Sequence, residues 1–285
     1  MFKKLCKFPP PLAYFHLSES KCNQFLFERV FRIGGIKIHA LTTEDALKIV
    51  LFWLNQKRHF HYICSTNFNN LATAFKSKDY FEVMENADLS LPDGMPLIWY
   101  ARLLGFNIRG RSGIEELMLR VFELSKAGYN FSHFFYGNTN QVLKALKDRL
   151  LTRYPQLRIA GMHAPSFKQP PPSELKQDLE LINDSQPDFL WVSLGCPKQE
   201  TWLYQQRHRL KVVVAGGAGA VFNLLAGFLP QPPSFIRQLG LEWCWRLGHE
   251  PKRLAKRYLI KYPHFLVKLL RYHFKNHLFR NQNCK

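Results

Sequence analysis

The stretch Phe189-Leu190-Trp191-Val192-Ser193-Leu194-Gly195-Cys196-Pro197-Lys198-Gln199-Glu200 passes from an apolar run into a tight Gly/Pro turn and then into residues suited to a first helical turn. The run reads as a buried parallel strand. In open α/β sheets ligands bind in the crevice beyond the carboxyl ends of the strands. A helix that starts there offers free N–H groups and a positive dipole end to an anion. Lys198 adds charge, and Gln199 adds an amide able to read a donor/acceptor edge. The cassette therefore suits a phosphorylated, hydrogen-bonding ligand. The alternative is an ordinary strand-turn-helix with a capping Gln and a solvated Lys.

The same alternation repeats on both sides of it. Apolar segments at 60–64, 87–91, 134–136, 157–160 and 212–215 read as further strands. Helical patterns run from the Thr43 cap to Leu54, after Ser65-Thr66-Asn67, after Pro92-Asp93-Gly94 to Leu104, and over 113–124, 141–151 and 173–183. Ile33 to Ile38 straddles Gly34-Gly35 as a hairpin. This order predicts an α/β fold: a Rossmann-like, mostly parallel sheet with helices on both faces. Its domain is expected over 30–231. Residues 1–29 are expected to be an irregular extension, and 232–285 a basic helical appendage in which Pro263 kinks or splits the last helix.

The chain of 285 residues carries a net charge of +19, and no acid follows Glu250. Such a tail seeks a polyanion, either a nucleic acid or an anionic membrane surface. Lys261, Lys268, Arg271 and Lys275 share one helical face, with Tyr262, Phe265, Leu266, Leu269 and Tyr272 near another, as in an interfacial helix. An amphipathic helix packed on the domain is the alternative. The six scattered cysteines suit reduced thiols in a cytosol. Cys196 fits a buried filler better than a nucleophile. Pro9-Pro10-Pro11 interrupts any signal-peptide core. Val212 to Leu229 reads as a strand, a glycine-rich loop and a short buried helix rather than a membrane span.

Asp93 sits at the mouth of a strand, where a carboxylate can act as a general base or cap the following helix. Gly216-Gly217-Ala218-Gly219-Ala220 is an incomplete dinucleotide fingerprint, with Phe222 in place of the third glycine. There is no D-x-D, no H-E-x-x-H and no clustered His/carboxylate set, so no metal and no cofactor are expected.

In order, Asn67, Asn86-Ala87-Asp88, Pro92-Asp93-Gly94, Tyr136-Gly137-Asn138, Gly195 to Glu200, Gly216 to Gly227, Gly240-Leu241-Glu242-Trp243, Arg246-Leu247, Glu250-Pro251, Arg253 and Arg257-Tyr258 resemble one family, the WecG/TagA/CpsF glycosyltransferases. The resemblance spans about residues 31–275. It implies an inverting enzyme that moves a sugar from a UDP-sugar donor to a polyprenyl-diphosphate-linked sugar acceptor in cell-surface polysaccharide synthesis. It also implies a site peripheral on the cytoplasmic face of the bacterial plasma membrane, with no required metal.

By the resemblance Asp93 is the base. Ser65, Asn67, Gly137, Asn138, Gly195, Lys198, Gln199, Glu200 and Gly217 form the donor pocket. Arg109, Arg111, Arg246, Arg253 and Arg257 are candidates for the diphosphate and acceptor, the last three within an appendage that closes over the site. Asn223 stands where members carry Asp, and the block around Arg109, Gly110, Arg111 and Glu115 is altered. The transferred sugar and the oligomeric state are not readable, and a homo-oligomer is left open. A non-catalytic nucleic-acid-binding protein and an NAD(P)-dependent oxidoreductase are the rival readings.

Overall fold

The computed structural model describes residues 19–56, 59–108, 110–166, 172–233, 236 and 240–282, with the side chains at 21, 253 and 273–282 outside that description. Residues 19–27, expected to be irregular, form helix α1 (Glu19–Phe27) instead, and Cys22 is buried in the core beside α2. The hairpin β1 (Val30–Ile33) and β2 (Ile36–His39) is antiparallel, with Gly34 and Gly35 at positive φ in its turn.

Then follow α2 (Thr43–Gln56), β3 (His61–Thr66), α3 (Phe68–Ala74), α4 (Lys78–Glu85), β4 (Leu89–Pro92), α5 (Met95–Leu103), α6 (Ile114–Lys126), β5 (Ser132–Gly137), α7 (Asn140–Arg153), β6 (Arg158–His163), α8 (Pro172–Asp184), β7 (Phe189–Ser193), α9 (Lys198–Gln206), β8 (Val214–Gly217) and α10 (Val221–Leu225). The single helix expected after Asn67 is two. Ser77 accepts the N–H of Tyr80 and starts the second.

β3 to β8 form one parallel sheet in the order β4-β3-β8-β7-β5-β6. Alternate strand residues serve two cores. Ile63, Phe135, Trp191 and Val214 face α2, α6, α7 and α10. Tyr62, Phe134, Tyr136, Leu190, Val192 and Ala215 face the hairpin, α3, α4, α8 and α9. β7 and β8 sit between the outward-winding pairs β3/β4 and β5/β6, so the carboxyl ends of β3, β8 and β7 meet at the switch point.

The C-terminal segment is helical: α11 (Glu242–His249), α12 (Pro251–Lys256), a π-helical turn (Arg257–Lys261) and α13 (Tyr262–Gln282). The interruption expected at Pro263 falls just before it. Pro263 has no N–H to give, and the N–H of Tyr262 donates to the Arg257 carbonyl five residues back.

His39 lies buried behind the sheet edge, where its Nδ1 accepts the N–H of Ser90 at 3.0 Å. Burial above all, with help from Lys37, lowers its pKa to about 4. A histidine kept neutral in the fold but free to protonate when unfolded adds stability above pH 6.5, and that stability is lost as pH falls towards 4. The shift corresponds to about 3 kcal/mol. His39→Asn keeps an acceptor for Ser90, so its melting temperature should vary less than wild type's between pH 6.5 and 4. Parallel curves would show that His39 carries no such linkage.

Candidate active site

Asp93 follows β4 directly, and its N–H donates to the Thr66 carbonyl at the end of β3. It does not cap α5: Gly94 holds that position at φ 142 with no side-chain cap. The carboxylate instead accepts the Ser65 hydroxyl at 3.0 Å, and Ser65 Oγ also accepts the N–H of Ile114 at 3.3 Å. The side chain is 30 % exposed, so part of it remains open to solvent.

Arg111, expected to meet a diphosphate, is taken up by three carboxylates. Its guanidinium lies 3.8 Å from Asp93, 2.6 Å from Glu116 and 2.5 Å from Glu242. Burial works against the Arg111 charge, but the three acids, Glu116 foremost, outweigh it and keep the group firmly protonated. Burial raises the pKa of Glu116; Arg111 opposes this and Asp93 adds to it. Gly113 is pressed against the cluster: a Cβ there would stand 2.8 Å from Glu116 Oε2 and 3.0 Å from Asp93 Oδ1.

The P-K-Q-E turn works differently from its sequence reading. Gln199 does not present its amide to the crevice. It is buried, with Oε1 accepting the N–H of Gly195 at 3.1 Å and Nε2 donating to Glu200 at 2.9 Å. Glu200 is buried as well. One of its oxygens also takes the Asn70 amide at 3.5 Å, while Oε2 has no hydrogen-bond partner among the described residues. Burial raises its pKa. Gly217 has no side chain because Gln199 fills that space: a Cβ would lie 2.7 Å from Nε2. These residues hold the turn in shape. Lys198 is exposed at the start of α9, where the helix end and its charge remain available to an anion.

Cys196 receives the Asn69 amide at 3.3 Å and lies 3.4 Å from the Tyr80 hydroxyl. Burial pushes its thiol up to about 11, which suits a packed filler rather than a nucleophile. Asn67 caps α3, accepting the N–H groups of Asn69 and Asn70. Gly137 at φ 110 lets β5 pass the Ser193 carbonyl, which a Cβ would approach to 2.5 Å. Asn138, at φ 67, donates to Ser193 Oγ, and Ser193 donates to the Gly219 carbonyl. The glycine-rich loop after β8 is thereby tied to the ends of β5 and β7.

The C-terminal segment is docked on the site. Lys261 Nζ donates to Asn69 Oδ1 and Thr73 Oγ1, both at 2.9 Å. Phe265 is buried edge-on against Phe68 and Phe75, Tyr262 meets Phe68, and Tyr272 meets Phe75. So the aromatic face expected to enter a membrane packs on α3, and Lys261 points inward with it. Leu259, Ile260, Leu266, Val267 and Leu270 are among the apolar residues left exposed, beside exposed Lys268 and Arg271. Arg246 is exposed on α11, and Arg257 is close enough to Cys196 and Tyr262 to favour their ionised forms. Arg109 and the Arg253 side chain lie outside the described residues.

Among the described residues no three or more His, Cys, Asp or Glu side chains are grouped to hold a metal ion, and no helix is long and apolar enough to cross a membrane. Sequence reasoning did not single out Glu116 or Gly113, carried Glu242 only within the Gly240-Leu241-Glu242-Trp243 block, and read Lys261 only as part of the tail's basic face.

Asp93 after β4 and the start of α9 after β7 lie at the same, carboxyl-end side of the parallel sheet, where open α/β folds bind their ligands. The model of the Glycosyl transferase WecG/TagA/CpsF family matches residues 31–278. The chain belongs to this family and is a glycosyltransferase. It is similar to the N-acetylglucosaminyldiphosphoundecaprenol N-acetyl-beta-D-mannosaminyltransferase of Bacillus subtilis, at 27% identity over 70% of this chain and 74% of the relative. The enzymes of the same name from Bacillus spizizenii (29%, 70% and 74%) and Staphylococcus aureus (25%, 78% and 84%) are further relatives.

Proposed function

We propose that this enzyme transfers a hexosyl group, N-acetylmannosaminyl as in its relatives, from a UDP-sugar to a polyprenyl-diphosphate-linked sugar, with inversion. The observation that carries the reading is Asp93: a carboxylate relieved of capping, oriented by Ser65 and partly exposed at the carboxyl end of the sheet. It takes the proton of the acceptor hydroxyl as that oxygen attacks the anomeric carbon. The bond to the UDP oxygen breaks, and UDP leaves with the electron pair. The α9 N-terminus and Lys198 offset the charge that grows on the leaving diphosphate. The docked C-terminal helices keep water, the competing nucleophile, from the donor. The test is UDP release with a panel of UDP-sugars, a polyprenyl-diphospho-sugar and EDTA, in wild type and Asp93→Asn.

The same reading places the enzyme peripherally on the cytoplasmic membrane face, with Leu259, Ile260, Leu266, Val267 and Leu270 towards the lipid and Lys268 and Arg271 at the headgroups. Wild type should sediment with anionic vesicles, and Leu266→Glu/Leu270→Glu should not. Equal sedimentation of both would move the contact elsewhere.

A further inference from the structure

Glu242 opens α11, 131 residues after Arg111, yet its carboxylate makes the shortest contact in the cluster around that guanidinium. Arg111 is thus clamped from two sides. Glu116 of α6 holds Nη2, and Glu242 of the C-terminal segment holds Nη1, the nitrogen that also faces Asp93. One cation against three carboxylates is not free to serve as an anion clamp. Its geometry is that of a strut between the base and the segment that covers it.

We propose that Glu242 is a positioning residue: through Arg111 it makes the aim of Asp93 depend on docking of the C-terminal helices. The inference rests on Asp93 being the base. The same segment is pinned a second time, by Lys261 on Asn69 and Thr73 of α3, the helix that begins three residues after Ser65. Both partners of Asp93, Ser65 and Arg111, are therefore braced by elements the segment touches. Substrate that seats the segment also sets the base, and an undocked segment leaves Arg111 to swing towards Asp93.

The charges decide the test. Asp93 is faced by Ser65 from β3, by Arg111 from the loop before α6, by Glu116 from α6 and, through Arg111, by Glu242 from α11; Glu115 adds a further negative charge near Arg111. Arg111 brings a positive charge to the neighbourhood of the base and Glu242 a negative one, so removing either changes the field there in opposite senses. Glu242→Gln keeps shape and removes charge. It should lower acceptor-dependent kcat by roughly 10- to 100-fold, the scale of a base moved out of line. It should also shift the acid limb of kcat/KM to lower pH. Arg111→Met should shift that limb to higher pH. Arg111→Lys, milder for folding, should retain the limb and lose rate.

In the double variant Arg111→Met/Glu242→Gln the losses should not add. Limbs that move together, or losses that multiply, would overturn the proposal. Hydrogen exchange of residues 242–256 without substrate is read in parallel, and Arg111→Met should lower protection there. If wild type itself shows no turnover, the reading of Asp93 as base falls. The exchange result alone then decides whether Arg111 and Glu242 tie the segment down.

Discussion

Asp93→Asn is expected to reduce acceptor-dependent UDP release by about 10²- to 10⁴-fold, the usual contribution of a general base, while UDP binding is retained. The substitution preserves size, and the amide oxygen can still accept the Ser65 hydroxyl that now meets Oδ2 at 3.0 Å. What is lost is the ability to take a proton. Arg111 keeps Glu116 and Glu242, so the cluster is not left with an orphaned guanidinium. The readout is UDP release with the lipid-linked acceptor present, set against UDP affinity by calorimetry. A loss under about tenfold would remove Asp93 from the base role.

The second large effect is Phe265→Ala. This ring is 2 % exposed and meets Phe68 and Phe75 edge-on, with centroids 5.5 and 5.3 Å away. Truncating a buried Phe costs about 3–5 kcal/mol, and here the loss falls on one docking surface. The helix should leave α3, Lys261 should lose Asn69 and Thr73, and acceptor-dependent turnover should fall by at least an order of magnitude. Hydrogen exchange over 262–272 should rise in step. Deleting everything after Gly248 would go further, because Leu254 is buried too and Phe68 and Phe75 would be bared. Full turnover by Phe265→Ala would mean that transfer does not need the docked helix.

The sheet was legible because its signals are local. Runs such as Phe134 to Tyr136 and Phe189 to Ser193 are apolar on both faces, as strands covered on two sides must be, and glycine or asparagine ends them. Asp93 was legible for the same reason, standing where a strand stops. The division of α3 from α4 was written too, in Ser77 with Asp79 in the first turn, a cap signal masked by the apolar residues around it.

What sequence could not give was the direction of side chains. Gln199 looks like a ligand amide until Gly195 and Glu200 are seen to consume it. Arg111 looks like an anion binder because nothing local reveals that Glu242, far along the chain, folds back to it. In the tail, Phe265 and Leu266 were read near one face, and Phe68 and Phe75 decide that Phe265 is hidden while Leu266 stays exposed.

The π-helical turn at Arg257–Lys261 makes the C-terminal helix a keyed part. One residue more than an α-helix needs is spent there, and each residue of an α-helix turns the chain by about 100°. Deleting one position within 257–261 would remove that spare residue and close the turn to an ordinary α-helical one, leaving α13 near its present phase with Phe265 still towards α3. A deletion between Lys261 and Phe265 has no spare residue to absorb it, and Phe265 would turn by about 100° off the α3 surface. Single-residue deletions should thus be better tolerated inside the π turn than just beyond it.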